Sequence, residues 1–360
     1  MIDAGENIMT NTHTSKHLHN NGYFIISLDF ELYWGVHDVF RKESYADVLY
    51  NTRKIIPSLL QIFTEYQIHA TWAIVGMLNV KNKNELYKRM PTKLPAYRNQ
   101  KLSSYNHITQ VDTLLQEDLY FAPELVRAIQ QTGGQEIGSH TFSHYYCLED
   151  GQTEEDFLTD ALLFNQVMEP VTTDIHSIVF PRNQVSLPYL SICSQVGMKA
   201  YRGNEPGWIY QMKGNDRKHI IKRGLRLLDM YVNLFGHQSY QITDGKGLLN
   251  IRGSRQLKPA AKRLRSLEKR RLNRILSSMT YAAKNKRIYH LWWHPHNFGD
   301  NPERNFDFLR KILIHYKYLN KYYGFESNSM GEIAKKILSQ TDSLNDIRDV
   351  SRKNVSLQGE

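Results

Sequence analysis

Apolar positions along the chain follow two rhythms. The stretches "YFIISLDF" (23–30), "IHATWAIVG" (68–76), "QEIGSH" (135–140), "HSIVF" (176–180), "MKAYRG" (198–203) and "RIYHLWW" (287–293) are short runs rich in β-branched and aromatic residues, as buried strands are. Between them lie longer segments with apolar residues three and four apart, such as "SYADVLYNTRKIIPSLLQIFTEYQ", which predict helices. "APELVRAIQQTGG" closes on two glycines, a helix stop, and "TEEDFLTDALLFNQVME" opens on Thr153 with Asp156 three residues on, a capping-box pattern. Repeated strand–helix units predict the α/β class with a parallel sheet, and seven or so of them favour a closed barrel over an open sheet. One barrel domain is expected over residues 22–340, with a flexible segment at 1–21 and a polar tail at 341–360.

Charged groups interrupt this pattern where strands should end, and barrels place their chemistry there. Asp29 and Glu31 close the first strand two positions apart, so both side chains project to one face. Two such carboxylates repel unless a metal ion or an arginine compensates them. "SHTFSH" places His140 and His144 four apart, a spacing that puts both imidazoles on one side of a turn. Two histidines and a carboxylate make a catalytic metal set with room for water. "HLWWHPHNFGDN" offers His294 and His296 after the last apolar run, one of them a candidate general acid, while His290 reads as a packed histidine within the strand. "VFPRNQ" sets Arg182 after another strand, where a guanidinium can hold a carboxylate ionised.

Composition narrows the class. With 360 residues, 41% hydrophobic and 11% aromatic, the chain is globular. No run reaches the roughly 18 apolar residues of a membrane span, and the first 26 residues are too polar for a signal peptide, so a cytoplasmic location is expected. Cys147 and Cys193 fit reduced thiols. The net charge of +10 is concentrated in 252–287, where thirteen Lys or Arg face a single acid, Glu268. Apolar residues recur there at helical spacing, which predicts a basic helical insert able to lie against an anionic membrane. Nucleic acid is disfavoured, because no recognition motif accompanies the charge.

The ordered motifs "SLDFE", "SHTFSH", "VFPRNQ" and "WWHPHNFG" resemble those of the polysaccharide deacetylases with a NodB-like domain, the carbohydrate esterase family 4 type, over roughly residues 22–325. The resemblance narrows the expected barrel to a distorted (β/α) barrel of seven parallel strands, and it implies a metal-dependent hydrolase that removes N-acetyl, or O-acetyl, groups from a sugar or glycan, with zinc as the expected ion. His140 and His144 match the family's metal histidines. The implied roles continue with Glu31 as third ligand, Asp29 as general base tuned by Arg182, a backbone N–H near Tyr145 for the oxyanion, and His294 as general acid. Tyr33, Trp34, Tyr145, Trp208, Trp293 and His296 are expected around the substrate, with Trp292 in the same aromatic group. Two departures stand out: Phe30 separates the two acids where most members have adjacent aspartates, and the arginine follows its proline. The nearest counterpart of the segment that orients the catalytic histidine is "YRGNEPGWIY", with Glu205 and Trp208. A glycan precursor of surface-polysaccharide assembly is the expected substrate. A deformylase or cyclic-amide amidohydrolase, and a catalytically silent glycan-binding scaffold, are the rival readings.

Overall fold

A computed structural model of the chain describes residues 21–110, 116–207, 209–210, 218–245, 247–260 and 265–340. The strands are β1 (Tyr23–Phe30), β2 (Ala70–Ile74), β3 (Gln135–Ser139), β4 (Ser177–Ile178), β5 (Ala200–Tyr201), β6 (Thr243–Gly245), β7 (Leu248–Asn250), β8 (Arg255–Gln256), β9 (Ile288–Trp293) and β10 (Glu326–Ser327). They form one sheet in the order β6-β7-β5-β4-β3-β2-β1-β9-β8, with β10 pairing β1. The expectation of seven parallel strands is therefore corrected: nine strands lie on the path, and β6 runs antiparallel to β7. The additional strands are two or three residues long, too short to carry a periodicity.

The sheet curls because one stretch of chain serves both of its sides. β7 and the residues after it bond to β5, through Ile251 N–H to Tyr201 O (3.0 Å) and Gly253 N–H to Gly203 O (2.9 Å). The next residue crosses over to β9, with Ser254 N–H donating to His290 O and Leu257 N–H to Trp292 O, both at 2.8 Å. The result is a half-barrel, mostly parallel, in keeping with the (β/α) barrel expected.

Helices α1 (Lys42–Tyr66), α2 (Lys83–Arg89), α3 (Ser104–Gln110), α4 (Pro123–Gln131), α5 (Glu154–Met168), α6 (Leu187–Gln195), α7 (Lys218–Asp229), α8 (Arg265–Lys284), α9 (His296–Gly299) and α10 (Pro302–Tyr323) fill the connections. The Thr153–Asp156 capping box forms as its spacing predicts. On β1 the alternation separates two environments. Phe24, Ile26, Leu28 and Phe30 join the core shared with Leu59 and Phe63 of α1, while Tyr23 and Ile25 join an inner cluster with Val179 and Ile251. Ser27 and Asp29 continue that inner face, so the period of two that makes the strand also aims the carboxylate into the half-barrel.

The basic segment 252–287 is partly interior. It supplies β8 and α8, and it buries Arg255, Arg271 and Arg274. Asp229, at the end of α7 and fully buried, receives Arg255 Nη2 at 2.9 Å and Arg274 Nη2 at 3.3 Å. Its Oδ1 also accepts the N–H groups of Leu234 and Phe235 at 3.1 and 3.2 Å, which pins the turn beyond the helix. Removing this one acid would strand two arginines in the interior. The Asp229→Ala variant should lose about 3 kcal/mol of stability, seen as a lower urea midpoint with an unchanged slope.

Candidate metal and catalytic site

Asp29 lies at the end of β1 and is met head-on by Arg202, which leaves the end of β5. Arg202 Nη1 and Nη2 donate to Asp29 Oδ1 and Oδ2, each at 2.7 Å, a bidentate pair with both side chains almost fully buried. The guanidinium is held in turn by Ser27 Oγ (2.9 Å) and Asn183 Oδ1 (2.9 Å), and it lies 4.3 Å from the Trp292 ring centroid. His290 Nδ1 faces the Ile251 carbonyl at 3.2 Å and so carries the proton, leaving Nε2 to accept from Ser27 Oγ at 2.8 Å. Burial holds His290 neutral by pushing its pKa down to about 3. Burial alone would raise the Asp29 carboxyl; Arg202 foremost, then His294, outweigh it and keep the acid below its ordinary range.

Glu31 leaves the strand at a 3-10 turn, Leu32–Gly35, entered through a left-handed Leu32 (φ 47°). Gly35 leaves room for the acid: a Cβ there would stand 1.7 Å from Glu31 Oε2. The carboxylate meets three imidazoles, with Oε1 at 3.0 Å from His140 Nε2, 3.3 Å from His144 Nε2 and 3.4 Å from His294 Nε2. Burial works against its charge, but His294, His140 and His144 together hold it well below the usual carboxylate range.

The two histidines of "SHTFSH" flank a strained turn, with positive φ at Thr141 (63°) and His144 (57°). Asp160 of α5 stabilises it by accepting the N–H groups of Phe142 (2.6 Å) and Ser143 (3.1 Å) and the Ser143 hydroxyl, while burial raises its own pKa to about 6. His140 Nδ1 lies 2.7 Å from the Val179 carbonyl, a contact that orients the ring so that Nε2 faces Glu31. Burial lowers His144 to about 4, so that imidazole is neutral in the working range; its Nδ1 has no hydrogen-bond partner among the described residues.

Two sets bring ligand atoms within 4.8 Å of one another: Glu31, His140 and His144, and Asp29, Glu31 and His294. The first fits a divalent cation better, because two imidazoles and a carboxylate are a ligand set, whereas both oxygens of Asp29 are engaged by Arg202. His294 is the outermost of these residues, its side chain 22% exposed against 4% for Asp29 and Glu31. Its Nε2 is 3.7 Å from Asp29 Oδ2. Burial opposes its protonation, but Glu31 and Asp29 raise its pKa above the ordinary histidine value. His296 stacks on it at 4.9 Å, with its pKa lowered by burial to about 3.

Of the residues singled out in the sequence, Asp29, Glu31, His140, His144 and His294 converge, with His296 beside them. Arg182 does not reach Asp29: it pairs with Asp38 and lies over the Tyr146 ring at 4.4 Å. Its neighbour Asn183 and the more distant Arg202 take the place expected of it. Tyr145 offers no free donor, because its N–H is taken by Thr141 Oγ1 at 2.7 Å and its hydroxyl by Thr153 O at 3.0 Å. Trp34 and Trp293 are core residues with no exposed surface: Trp34 donates to Tyr120 O at 2.7 Å and Trp293 stacks on Phe298. Tyr33 lines a cavity beside the site, and Trp208 lies outside the described residues. Glu205 turns toward Trp292 and Arg202. Arg202 escaped notice in the sequence, although an arginine closing the apolar run "MKAYRG" is the same anomaly that drew attention to Asp29.

Residues 46–201 match the polysaccharide deacetylase family, in agreement with the resemblance carried by the motifs. The match runs from α1 to β5, so it includes His140 and His144 and stops short of Asp29, Glu31, Arg202 and His294. A Mycobacterium smegmatis structure described as a polysaccharide deacetylase shares the fold at a TM-score of 0.54 and 12% identity, over 89% of this chain and 92% of the other. PuuE allantoinase shares it at 0.51 and 12%, over 93% and 97%. No curated protein matches the chain.

Two measurements probe this arrangement. In the metal-free protein, histidine NMR should show His294 titrating above 6.5, and Glu31→Gln should move that titration down by removing the charge that favours the imidazolium. An unmoved titration would mean that the two groups do not face each other in solution. Gly35→Ala should displace the Glu31 carboxylate and weaken zinc binding about tenfold or more, while circular dichroism stays that of the parent.

Proposed function

We propose that the protein is a metal-dependent hydrolase that removes N-acetyl groups from a sugar precursor of a surface glycan. The observation that carries this reading is the convergence of Glu31, His140 and His144 beside an Arg202-clamped Asp29 and a raised-pKa His294. Glu31, His140 and His144 would hold a divalent cation, zinc being suited to two imidazoles and a carboxylate. When bound, such an ion polarises a carbonyl and acidifies water. Asp29, kept ionised by Arg202, takes the proton from the water that adds to the acetyl carbon. His294 then gives its Nε2 proton to the sugar nitrogen as the C–N bond breaks, releasing acetate and a free amine.

A cavity of about 670 Å³ opens beside the Glu31 turn, lined by Tyr33, His37, Arg41, Lys42, Lys101 and His107 among others. It adjoins the site through Asp38, Arg182 and Tyr146, whose ring lies 5.1 Å from His144. Arg41, Lys42 and Lys101 outnumber Asp38 and Glu43 on this wall, a lining that suits an anionic group on the sugar, as in a nucleotide-linked or lipid-linked precursor. Among the described residues, no helix is long and apolar enough to cross a membrane.

The test is to strip and refill the protein with zinc, count the ion per chain, and screen nucleotide-linked and lipid-linked N-acetyl sugars for acetate. We expect about one equivalent of zinc, lost in His140→Ala, and turnover that Asp29→Asn cuts at least about a hundredfold without releasing the ion. Formate release or ring opening without acetate would instead identify a deformylase or a cyclic-amide amidohydrolase. Glycan binding without turnover, unchanged in Asp29→Asn, would identify a silent scaffold.

A further inference from the structure

Helix α7 is built inside out. At 100° per residue, Ile220, Ile221, Leu227 and Leu228 share one arc of about 120°, and they point to solvent. With Val232 and Leu234 of the following turn, their exposures run from 47% to 74%. The opposite side carries the buried Asp229 and the half-buried Lys222 and Arg226. An amphipathic helix on a globular protein normally turns its apolar face inward. Here the inner face is the charged one, locked by the Asp229–Arg255–Arg274 cluster, and the same Asp229 fastens the turn that displays Val232 and Leu234. The exposed stripe is therefore a held surface and not a frayed end.

We propose that α7 and the turn after it dock on an anionic phospholipid bilayer. Charge complementarity selects this partner. Lys222 and Arg226 turn inward with Asp229, the single acid of 218–234, which is buried against two arginines, so the apolar side displays no acid. The exposed Arg223 borders the stripe directly. Aliphatic side chains enter the acyl boundary while cations meet the head-group phosphates, as in interfacial helices generally. The stripe is wholly aliphatic, whereas the core of a protein–protein interface is enriched in aromatic residues. The surface lies on α7 and not on α8, whose Leu272, Ile275, Leu276 and Met279 pack into the core. This inference does not depend on the reaction at the metal site.

The experiment is sedimentation of the full chain with vesicles of phosphatidylcholine alone and of phosphatidylcholine with phosphatidylglycerol. The parent should sediment with the anionic vesicles only, and less so at high salt. The double variant Ile221→Asp, Leu228→Asp should lose at least about tenfold in partitioning at an unchanged thermal midpoint, because both positions are exposed. Arg223→Glu should weaken binding in the same direction. Ile221→Trp, which keeps the face apolar, should shift its emission to the blue when anionic vesicles are added. A parent that stays in solution with both vesicle types would overturn the proposal. So would a double variant that binds like the parent, or a parent dimer that the double variant splits in the absence of vesicle binding.

Discussion

Two carboxylates buried at the end of a central strand set the terms for the rest of the molecule. Asp29 and Glu31 are 3% and 4% exposed, and an ionised group so placed costs several kcal/mol unless charges and hydrogen bonds compensate it. The compensating groups come from far along the chain. Arg202 leaves β5, four strand spacings from β1 along the sheet, which in a flat sheet would be about 19 Å. The observed contact is 2.7 Å. Only a curled sheet closes that gap, so the half-barrel and the carboxylate pair require each other. The same curl brings His140 from the end of β3 and His294 from the end of β9 to one carboxylate oxygen.

Convergence on so small a volume is bought with backbone strain. Among the described residues, five of the eight non-glycine positions with positive φ, Leu32, Thr141, His144, Arg182 and Asn183, lie in the loops after β1, β3 and β4. Thr141 is β-branched, so its left-handed conformation is costly. It persists because the turn is over-determined: Thr141 Oγ1 accepts from Tyr145, Asp160 takes two N–H groups, and Ser104 Oγ donates to Ser143 O at 2.7 Å. Asn183 spends its strain similarly, placing a side-chain oxygen on Arg202. These loops hold their side chains in place before any ligand arrives, which is the condition for presenting a preorganised site.

What the sequence disclosed follows from which forces are local. Strand β1 could be read to the residue because its burial pattern is continuous, and the pairing of Asp29 with Glu31 followed from the period of two. The histidines were visible because their spacing is a property of one turn. Arg182 misled because a guanidinium after a strand is a local clue, whereas the choice between Arg182 and Arg202 depends on how far the sheet curls. Trp34 and Trp293 misled for a related reason: proximity in sequence to a motif does not tell which face of the chain an aromatic ring takes, and both face the core. The strands β6, β8 and β10 were illegible because their two or three residues are held by neighbours and not by their own pattern. The basic run 252–287 reads as a helical insert facing an anionic surface, and its sequence does not disclose that Arg255 and Arg274 are the partners that a buried Asp229 demands.

The charge balance of the centre also separates the two acids by role. Arg202 cancels Asp29 through both oxygens, so Asp29 stays ionised without attracting a further cation strongly. Among the described residues Glu31 has no guanidinium or ammonium partner; it faces His140 and His144, and His294 beyond them. A dication placed there would find its negative charge at Glu31 and its nitrogen donors at the two histidines beside it. His294 lies between the acids, 3.4 Å from one and 3.7 Å from the other, close enough for both to favour its protonated form. In the proposed reaction, the roles of ligand, base and proton donor would follow from which carboxylate the arginine reaches. The intervening Phe30, which parts the two acids in sequence, turns outward to the helix-facing core and leaves both on the same inner side.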